Sequence, residues 1–395
     1  MSRAVVLHPA LRLSAFYAAT FLVTGIQLPF WPVWLASRGL TAREIGVLLA
    51  AAIWVKVVAT PAIGALADKT RGRHVLMGAL AAAALAAYLG LLSAGSFWLL
   101  ILLNLVALTA QSALMPLGDT ITLGAVRSEG LDYGRIRLWG SVSFIVASIA
   151  SGAALASSSG ERVLPLVLGA SVLVLLACLC VPSIRPVEGG ARIAGMGAVA
   201  GDPRFWVFIL AASALQASHQ VYYGFGTLYW RSLDFSDPTI GWLWAEGVLA
   251  EILLFWQGRR LLARLGPIGL MVLGGIAGIL RWSLAGALTW LPFIAAIQLL
   301  HAFTFRSEPP RSHALPFTYG AALGSGRRAK PLCCIVVGSR QRPRYGDCGS
   351  ALLNLWRRRL LFYGRALGGW VGGSSGIRLD NQPMEPLMRL TRSIK

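Results

Sequence analysis

Ionisable side chains interrupt several long apolar stretches of this sequence. Asp119, Glu251, Arg281 and His301 each stand among leucine, alanine, valine and aromatic residues. A charge at bilayer depth costs at least about 2.5–3.5 kcal/mol, so each of these residues is a functional candidate by default. Carboxyl, guanidinium and imidazole groups in such a setting can bind a charged solute or carry a proton. The alternative for each is a static ion pair.

The composition requires membrane-spanning helices to position these residues. Hydrophobic residues make up 56% of the 395 residues, charged residues only 13%, and the mean hydropathy is +0.65. A soluble domain carries about 25% charged residues. Ten apolar segments recur, most of them near the roughly 20 residues that cross about 30 Å of hydrocarbon, and the last is short. They are 11–36, 45–67, 75–94, 97–117, 136–157, 163–181, 205–229, 240–256, 270–287 and 291–305.

The basic residues indicate an orientation and argue against nucleic-acid binding. The formal charge is +20, but 16 of the 36 Lys and Arg lie in residues 306–395. Of the others, fourteen fall in loops on the N-terminal side of the membrane and four in loops on the opposite side. Because basic loops stay in the cytoplasm, the N-terminus is predicted to be cytoplasmic. We therefore expect a monomeric, multi-pass protein of the bacterial inner membrane, in contact with the lipid bilayer and not with nucleic acid.

A polar linker divides the apolar segments into two groups. Residues 184–204 contain Gly, Pro and Arg, as do segments that connect domains. The predicted organisation is a six-helix bundle over 1–183, a cytoplasmic linker over 184–204, and an incomplete second bundle over 205–305. The predicted fold is an all-α integral membrane protein with two helical bundles and about ten transmembrane helices.

The loop "GALADKTRGRH", residues 64–74, resembles the conserved cytoplasmic loop between helices 2 and 3 of the major facilitator superfamily. The resemblance implies that Gly64 allows close helix contact. It also implies that Asp68 pairs with loop cations and latches one transport state. The alternative is an ordinary basic loop. The basic residues of this loop are Lys69, Arg71 and Arg73.

Three further stretches, "LDYGRIRLWGSVSF" (131–144), "QASHQVYYGFGTLYW" (216–230) and "GWLWAEGVLAEILLF" (241–255), resemble the phenylpropionate-permease branch of that superfamily. The branch is related to the oligosaccharide/proton and nucleoside/proton symporters. The resemblance implies a major facilitator fold and a proton-coupled symporter. Its substrate would be a small organic solute such as an aromatic acid, with a nucleoside or sugar as the alternative.

The resemblance also assigns roles to the polar residues of the first group of segments. In related sugar/proton symporters an acidic residue on the fourth helix and an arginine opening the fifth form a substrate-binding pair, and Asp119 and Arg137 match these positions. A structural salt bridge is the alternative for this pair.

The second group of segments carries the expected proton pathway. Arg281 and His301 are twenty residues apart, which matches those symporters. Thr304 stands where they carry an acidic residue, so Glu251 is the better candidate for the coupling proton, ahead of Glu246. A carboxyl group near Arg281 could load and unload a proton near neutral pH. A static Glu–Arg pair is the alternative.

Aromatic residues accompany these candidates. His219 and Tyr223, one turn apart, could face the cavity and hold a carboxylate or hydroxyl group. Trp and Tyr near segment ends are typical of membrane-interface anchors, which is the preferred interpretation for most of the others. These others are Trp31, Trp34, Tyr222, Trp230, Trp242 and Trp244.

The sequence predicts no cofactor, no metal site and no enzyme activity. A nucleotide-binding P-loop is absent, and the five cysteines lack C-x-x-C spacing. The zinc motif H-E-x-x-H is also absent, and the hydrolase pattern G-x-S-x-G occurs only as Gly-Gly-Ser-Ser-Gly at 372–376, outside the apolar segments. The expected partners are a small-molecule substrate and a proton.

The chain changes character after Phe305. Residues 306–395 contain fourteen arginines, four acidic residues and no apolar run of 18. A transporter of this family should continue its tenth helix and add two more. We therefore expect a one-nucleotide frameshift near Phe305, which replaces the end of the transporter by a basic, poorly ordered tail. The alternative to an active transporter is then a non-functional product of a transporter gene.

The nucleotide sequence tests this frameshift. Read from the second base of each codon, residues 331–364 can encode an apolar segment rich in small residues, which resembles the missing end of the family. We predict that the shifted frame stays open through this region and encodes two further apolar helices. An early stop codon in the shifted frame would contradict the frameshift.

Overall fold

The computed structural model describes residues 8–70, 72–156, 158–183 and 203–306. Within these ranges every regular element is helical. Two short 3₁₀ turns, Leu91–Ser93 and Gly160–Arg162, accompany ten α-helices. The α-helices are α1 (Pro9–Ser37), α2 (Ala42–Lys69), α3 (Arg73–Gly90), α4 (Phe97–Glu129), α5 (Tyr133–Leu155), α6 (Val163–Cys180), α7 (Pro203–Ser232), α8 (Asp237–Ala287), α9 (Leu291–Gln298) and α10 (His301–Arg306).

Seven helical stretches of the described chain are long and apolar enough to cross a membrane. They are α1 to α6, with α3 extended to Ser93 and α6 beginning at Gly160, and residues 268–287 of α8. Side chains such as Trp54, Trp98 and Leu179 remain exposed on these helices, as expected of surfaces that face lipid. The prediction of an all-α membrane protein is confirmed.

The second group of segments differs in detail from the prediction. The loop expected between the eighth and ninth segments is helical up to Gly266, where φ is 65° and ψ is 174°. Glycine adopts this backbone conformation without a steric penalty, and the following Pro267 lacks an amide donor, so α8 bends there. The tenth segment is also divided, because α9 ends at Gln298 and α10 begins at His301.

Polar residues begin several of these helices. Thr41 and Glu44 form a reciprocal capping box at the start of α2. The side chains of Ser96, Asp132 and Ser236 each accept a hydrogen bond from a backbone N–H of the following first turn. These caps fix where α4, α5 and α8 start.

Helix α1 packs closely against α5. A Cβ atom at Gly25 would lie 2.7 Å from the carbonyl oxygen of Phe144, so only glycine allows this approach. Ser143 Oγ donates to the Ala18 carbonyl at 2.7 Å, and Ser148 Oγ donates to the Gly25 carbonyl at 3.1 Å. Small residues and interhelical hydrogen bonds are the usual means of helix association in membranes.

A second close contact joins α5 to α8. A Cβ atom at Gly241 would lie 2.5 Å from the Ser148 carbonyl oxygen, and one at Gly152 would lie 2.5 Å from the Asp237 carbonyl oxygen. Arg231 fixes the start of α8 by donating two hydrogen bonds of 2.7 Å to the Asp237 carboxylate. The predicted orientation places this contact at the outer side, between the two predicted bundles.

Several predicted features lie outside the described residues. They are Arg71 of the loop, residues 184–202 of the linker and the tail after Arg306. The division into two bundles at these boundaries stays a prediction.

The α5–α8 contact predicts an effect of Gly241→Ala. The added methyl group must displace the Ser148 carbonyl, and overpacking of this kind costs about 1–3 kcal/mol. We expect a lower midpoint of thermal unfolding in detergent for this variant. Gly169→Ala is the control, because a Cβ atom there meets nothing within 4 Å in the part of the chain that the structure describes, and alanine favours the helix. Equal midpoints for the two variants would contradict the contact.

Candidate functional site

Asp119 of α4 lies between two tyrosine hydroxyl groups. Tyr17 of α1 donates to Asp119 Oδ1 at 2.6 Å, and Tyr133 of α5 donates to the same oxygen at 3.0 Å. The Tyr17 hydroxyl also lies 3.2 Å from Thr122 Oγ1. Hydrogen bonds to an ionised acceptor are short and strong. The two bonds connect α1, α4 and α5 at this half-buried carboxylate.

Arg137 approaches the same place from α5. Its guanidinium carbon lies 4.0 Å from the centre of the Phe21 ring and 5.4 Å from that of Tyr17, within the range of cation–π attraction. Among the described residues, no ion pair of 4.0 Å or less joins it to Asp119. A direct salt bridge, the structural alternative for this pair, is therefore wrong for this conformation. We call Tyr17, Asp119, Thr122, Tyr133 and Arg137 the aspartate cluster.

Arg281 of α8 is the charged residue at the centre of a second group, and only 1% of its surface is exposed. Its Nη1 donates to His301 Nδ1 at 2.9 Å, and its Nη2 donates to Gln298 Oε1 at 2.7 Å. Tyr222 contributes its hydroxyl, 3.4 Å from the same Gln298 oxygen. A buried charge is tolerated only when it is hydrogen-bonded, and neutral partners on α9 and α10 supply two of the bonds.

Aromatic rings cover the faces of this guanidinium. Its central carbon lies 4.7 Å from the centre of the Tyr222 ring and 4.4 Å from that of Trp282. Beside it lies a small cavity of about 50 Å³ that is partly open to solvent. Sites for small organic molecules likewise combine apolar walls with a few polar groups. The cavity is lined by Tyr222, Gly226, Tyr229, Trp230, Arg281, Trp282, Ala285, Ile294, Ile297 and Gln298.

Most of the aromatic residues predicted as interface anchors are instead buried. Trp31, Trp34, Trp230 and Trp244 are each at most 4% exposed, whereas Trp242 is 61% exposed. The polar edges of two of them find partners inside the protein. Trp31 Nε1 donates to Asn104 Oδ1, and Trp244 Nε1 donates to Thr227 Oγ1, both at 2.9 Å. An indole N–H that is satisfied inside the protein has no need of the membrane surface.

His219 and Tyr223 are not among the residues that line this cavity, whereas Tyr222 is. Their role in holding a substrate stays a prediction. His219 is 1% exposed; its Nδ1 lies 2.9 Å from the Leu215 carbonyl and its Nε2 lies 3.1 Å from Thr304 Oγ1. The Tyr223 ring lies 5.7 Å from the imidazole of His219. Thr304 therefore turns its hydroxyl to His219.

Glu251 lies on the side of α8 that faces His301 of α10. A Cβ atom at Gly247 would lie 3.3 Å from His301 Cδ2, and Glu251 follows Gly247 by one helical turn. Residues four apart on a helix share a face, so the half-buried Glu251 carboxyl group faces this region. Its role in carrying a proton stays a prediction.

The loop after α2 contains one of the predicted ion pairs. Arg73 Nη2 lies 2.6 Å from Asp68 Oδ1, whose side chain is 71% exposed, and Lys69 is exposed. An exposed pair contributes about 0–1 kcal/mol to stability. The close helix contact expected at Gly64 is wrong for this conformation: among the described residues, a Cβ atom there meets nothing within 4 Å. The neighbouring residues Ala65 and Leu66 are exposed, so the described part of the chain does not cover this face of α2.

Sequence reasoning missed several residues of these clusters, among them Thr122 beside Tyr17 and Trp282 over Arg281. Tyr17 and Tyr133 hold Asp119, and Gln298 holds Arg281. Gln298 could have been found, because it is a polar residue in an apolar segment and lies three positions before His301. The tyrosines gave no such signal. Among the described residues no three His, Cys, Asp or Glu side chains group as a metal site requires.

Comparison with known proteins identifies the family. Residues 10–308 match the family described as "MFS_1 like family". A protein of Escherichia coli K12 named "Probable 3-phenylpropionic acid transporter" is 34% identical over 312 residues, which cover 76% of this chain and 80% of that protein. The "Maltose permease" of Geobacillus stearothermophilus is 27% identical over 352 residues, covering 82% and 85%.

Solved structures agree on the fold. The nucleoside transporter NupG has a TM-score of 0.64 and 19% identity, covering 76% of this chain and 79% of its own. A bacterial homolog of the human lysosomal transporter Spinster, in its inward-facing unoccupied conformation, has a TM-score of 0.60 and 15% identity, covering 78% and 74%. The protein is thus a multi-pass membrane protein with a major facilitator fold. The chain belongs to the MFS_1-like family of transporters.

The geometry of the aspartate cluster predicts the effect of Tyr17→Phe. The change removes a 2.6 Å hydrogen bond to a carboxylate, and hydrogen bonds to charged groups contribute about 1.5–3 kcal/mol. We expect the free energy of unfolding in detergent to fall by about that amount. Tyr229→Phe is the control, since the Tyr229 hydroxyl makes no hydrogen bond within the described chain. The hydrogen bond would be contradicted if Tyr17→Phe lowered the free energy of unfolding by the same amount in the Asp119→Asn variant as in the unchanged protein.

Proposed function

We propose that this protein is a proton-coupled symporter of a small aromatic acid, acting as a monomer in the bacterial inner membrane. The substrate and a proton bind between the helices and cross together. No cofactor and no enzymatic step take part. The substrate class, the coupling ion and the membrane named here each go beyond membership of the family.

The observation that carries the proposal is the chemistry of the cavity beside Arg281. A guanidinium group there can bind a carboxylate through paired hydrogen bonds. The rings of Tyr222, Tyr229, Trp230 and Trp282 supply an apolar wall for an aromatic ring. A solute with a carboxylate at one end and a ring at the other fits both features. The name of the Escherichia coli relative, a probable 3-phenylpropionic acid transporter, supports this substrate class.

Electrostatics favours coupling to a proton. An anion that enters a cell moves against a potential that is negative inside, and each charge costs about 2.3 kcal/mol per 100 mV. A proton that crosses with the anion cancels that cost. In the proposal, the groups available to carry it are Glu251, which faces the His301 side of the site, and the buried imidazole of His219.

A sugar or nucleoside is the second candidate substrate. The aspartate cluster offers a carboxylate, two phenol groups and a threonine hydroxyl, all of which can bind the hydroxyl groups of such a solute. The maltose permease of Geobacillus stearothermophilus is among the relatives. In the proposal for the aromatic acid, Asp119 and Arg137 line the substrate path instead, and the loop with Asp68 and Arg73 latches one transport state.

A third candidate is a product that does not transport. The family match ends at residue 308, close to the point where the sequence changes character. If the reading frame shifts there, the second bundle lacks two helices and most of a third. The packing around His301 would then be incomplete.

The test compares the chain as written with a frame-restored chain. Right-side-out membrane vesicles carrying each chain are given radiolabelled 3-phenylpropionate and an acidic exterior. We expect accumulation by the frame-restored chain, its loss when a protonophore collapses the gradient, and little or no uptake by the chain as written. Full uptake by the chain as written would contradict the frameshift. Uptake of maltose or uridine in place of 3-phenylpropionate would favour the second candidate.

Variants of the frame-restored chain test the role of Arg281. We expect Arg281→Gln to weaken binding of 3-phenylpropionate by about 10- to 100-fold, because a hydrogen-bonded charge is lost from the site. Arg135→Gln is the matched control, since this arginine is 89% exposed at the start of α5. Equal binding by both variants would remove Arg281 from the substrate site.

A further inference from the structure

His219 is a buried imidazole whose two nitrogens have different partners. Nδ1 lies 2.9 Å from the Leu215 carbonyl oxygen, which can only accept a hydrogen bond. Nδ1 therefore carries a proton in either charge state of the ring. Nε2 lies 3.1 Å from Thr304 Oγ1, and that oxygen lies 2.9 Å from the His301 carbonyl oxygen.

The single hydroxyl proton of Thr304 distinguishes the two charge states of His219. If the imidazole is neutral, its Nε2 must accept the hydroxyl proton, and the contact from Thr304 to the His301 carbonyl has no hydrogen. If the imidazole is a cation, Nε2–H donates to Thr304 Oγ1, whose own proton goes to the His301 carbonyl. Only the cation makes all three contacts hydrogen bonds. The arrangement therefore satisfies a protonated His219 more completely than a neutral one.

His301 is held differently. Arg281 Nη1 lies 2.9 Å from His301 Nδ1, and a guanidinium nitrogen can only donate. His301 Nδ1 therefore accepts, and the proton of the ring is on Nε2. A second proton on Nδ1 would break the hydrogen bond to Arg281 and place two cations in contact. In this arrangement His301 cannot take up a proton, whereas His219 can.

The surroundings of His219 link its charge to that of a ligand. The imidazole lies 5.3 Å from the indole of Trp282 and 5.8 Å from the ring of His301, measured between ring centres. Aromatic rings stabilise a cation, but the nearby positive charge of Arg281 opposes a second one. The titratable or charged groups that the structure shows around this imidazole are Tyr222 and Tyr223 of α7, Arg281 of α8 and His301 of α10, and Glu251 lies on the side of α8 that faces His301.

We propose that His219 is the site of the coupled proton and that Thr304 positions that proton by accepting a hydrogen bond from Nε2. The assignment rests on the proposed function, since it names the proton site of the same symporter. A carboxylate bound at Arg281 offsets the repulsion between the two cations. Proton binding and anion binding therefore strengthen each other, and the coupling acts equally in both directions.

The first measurement does not depend on any substrate. The full chain, labelled with ¹⁵N-histidine and held in lipid nanodiscs, is titrated while its imidazole nitrogens are observed by NMR. The signals of His219 are those lost in His219→Gln. We expect His219 to change between a neutral and a doubly protonated ring, and His301 to remain neutral with its proton on Nε2. Thr304→Val should shift the midpoint for His219 to lower pH, and Thr304→Ser should preserve it.

The second measurement uses 3-phenylpropionate as the probe and 3-phenylpropanol as a control without a carboxylate. We expect the affinity of the full chain for 3-phenylpropionate to rise about tenfold per unit of falling pH above the midpoint of His219, as uptake of one proton requires. His219→Gln should abolish this dependence, and 3-phenylpropanol should not show it.

The two measurements separate failure of this assignment from failure of the proposed function. A His219 ring that stays neutral throughout, or a midpoint unchanged in Thr304→Val, would overturn the assignment. So would a pH dependence of binding that survives in His219→Gln. If 3-phenylpropionate does not bind at any pH, the proposed substrate is wrong, while the titration of His219 still decides the proton site.

Discussion

The burial of Arg281 is the constraint on which the second half of the site depends. A guanidinium group cannot give up its proton, so its charge must be stabilised where it stands. Gln298 and His301 accept two of its hydrogen bonds, and Tyr222 and Trp282 cover its faces. Gln298 is the last residue of α9 and His301 the first of α10, so both acceptors lie at the break between these helices. The same arrangement leaves a positive charge beside a cavity with aromatic walls, which is suited to an organic anion.

The aspartate cluster and the surroundings of Arg281 have similar arrangements around opposite charges. In each, a charged group lies among tyrosine or tryptophan rings and polar side chains from neighbouring helices. Asp119 and Arg137 do not form a direct ion pair with each other in the described structure. Groups arranged in this way keep hydrogen-bonding capacity for a solute. The glycines at the contact between α5 and α8 add a second requirement, because no side chain fits between backbones at these distances.

The sequence predicted the fold better than it predicted the site. Apolar segment length is set by membrane thickness, so α1 to α6 lie where the segments indicated. The path of α8 was less predictable, because its helical stretch continues through basic residues up to Gly266. The resemblance to related symporters singled out Arg281 and His301, and the structure places the two in contact. The sequence could not show that Tyr17 and Tyr133 bind Asp119, because those contacts join residues more than 100 positions apart or on opposite sides of a turn. The buried tryptophans were misassigned for a similar reason: helix ends in the sequence do not reveal a polar partner on another helix.

The central claim is that the carboxylate of an aromatic acid binds Arg281. A structure of the frame-restored protein with 3-phenylpropionate bound tests it most directly. The account predicts carboxylate oxygens within hydrogen-bonding distance of the Arg281 guanidinium and the phenyl ring against Tyr222 and Trp282. A ligand bound at the aspartate cluster, with the cavity beside Arg281 empty, would contradict it.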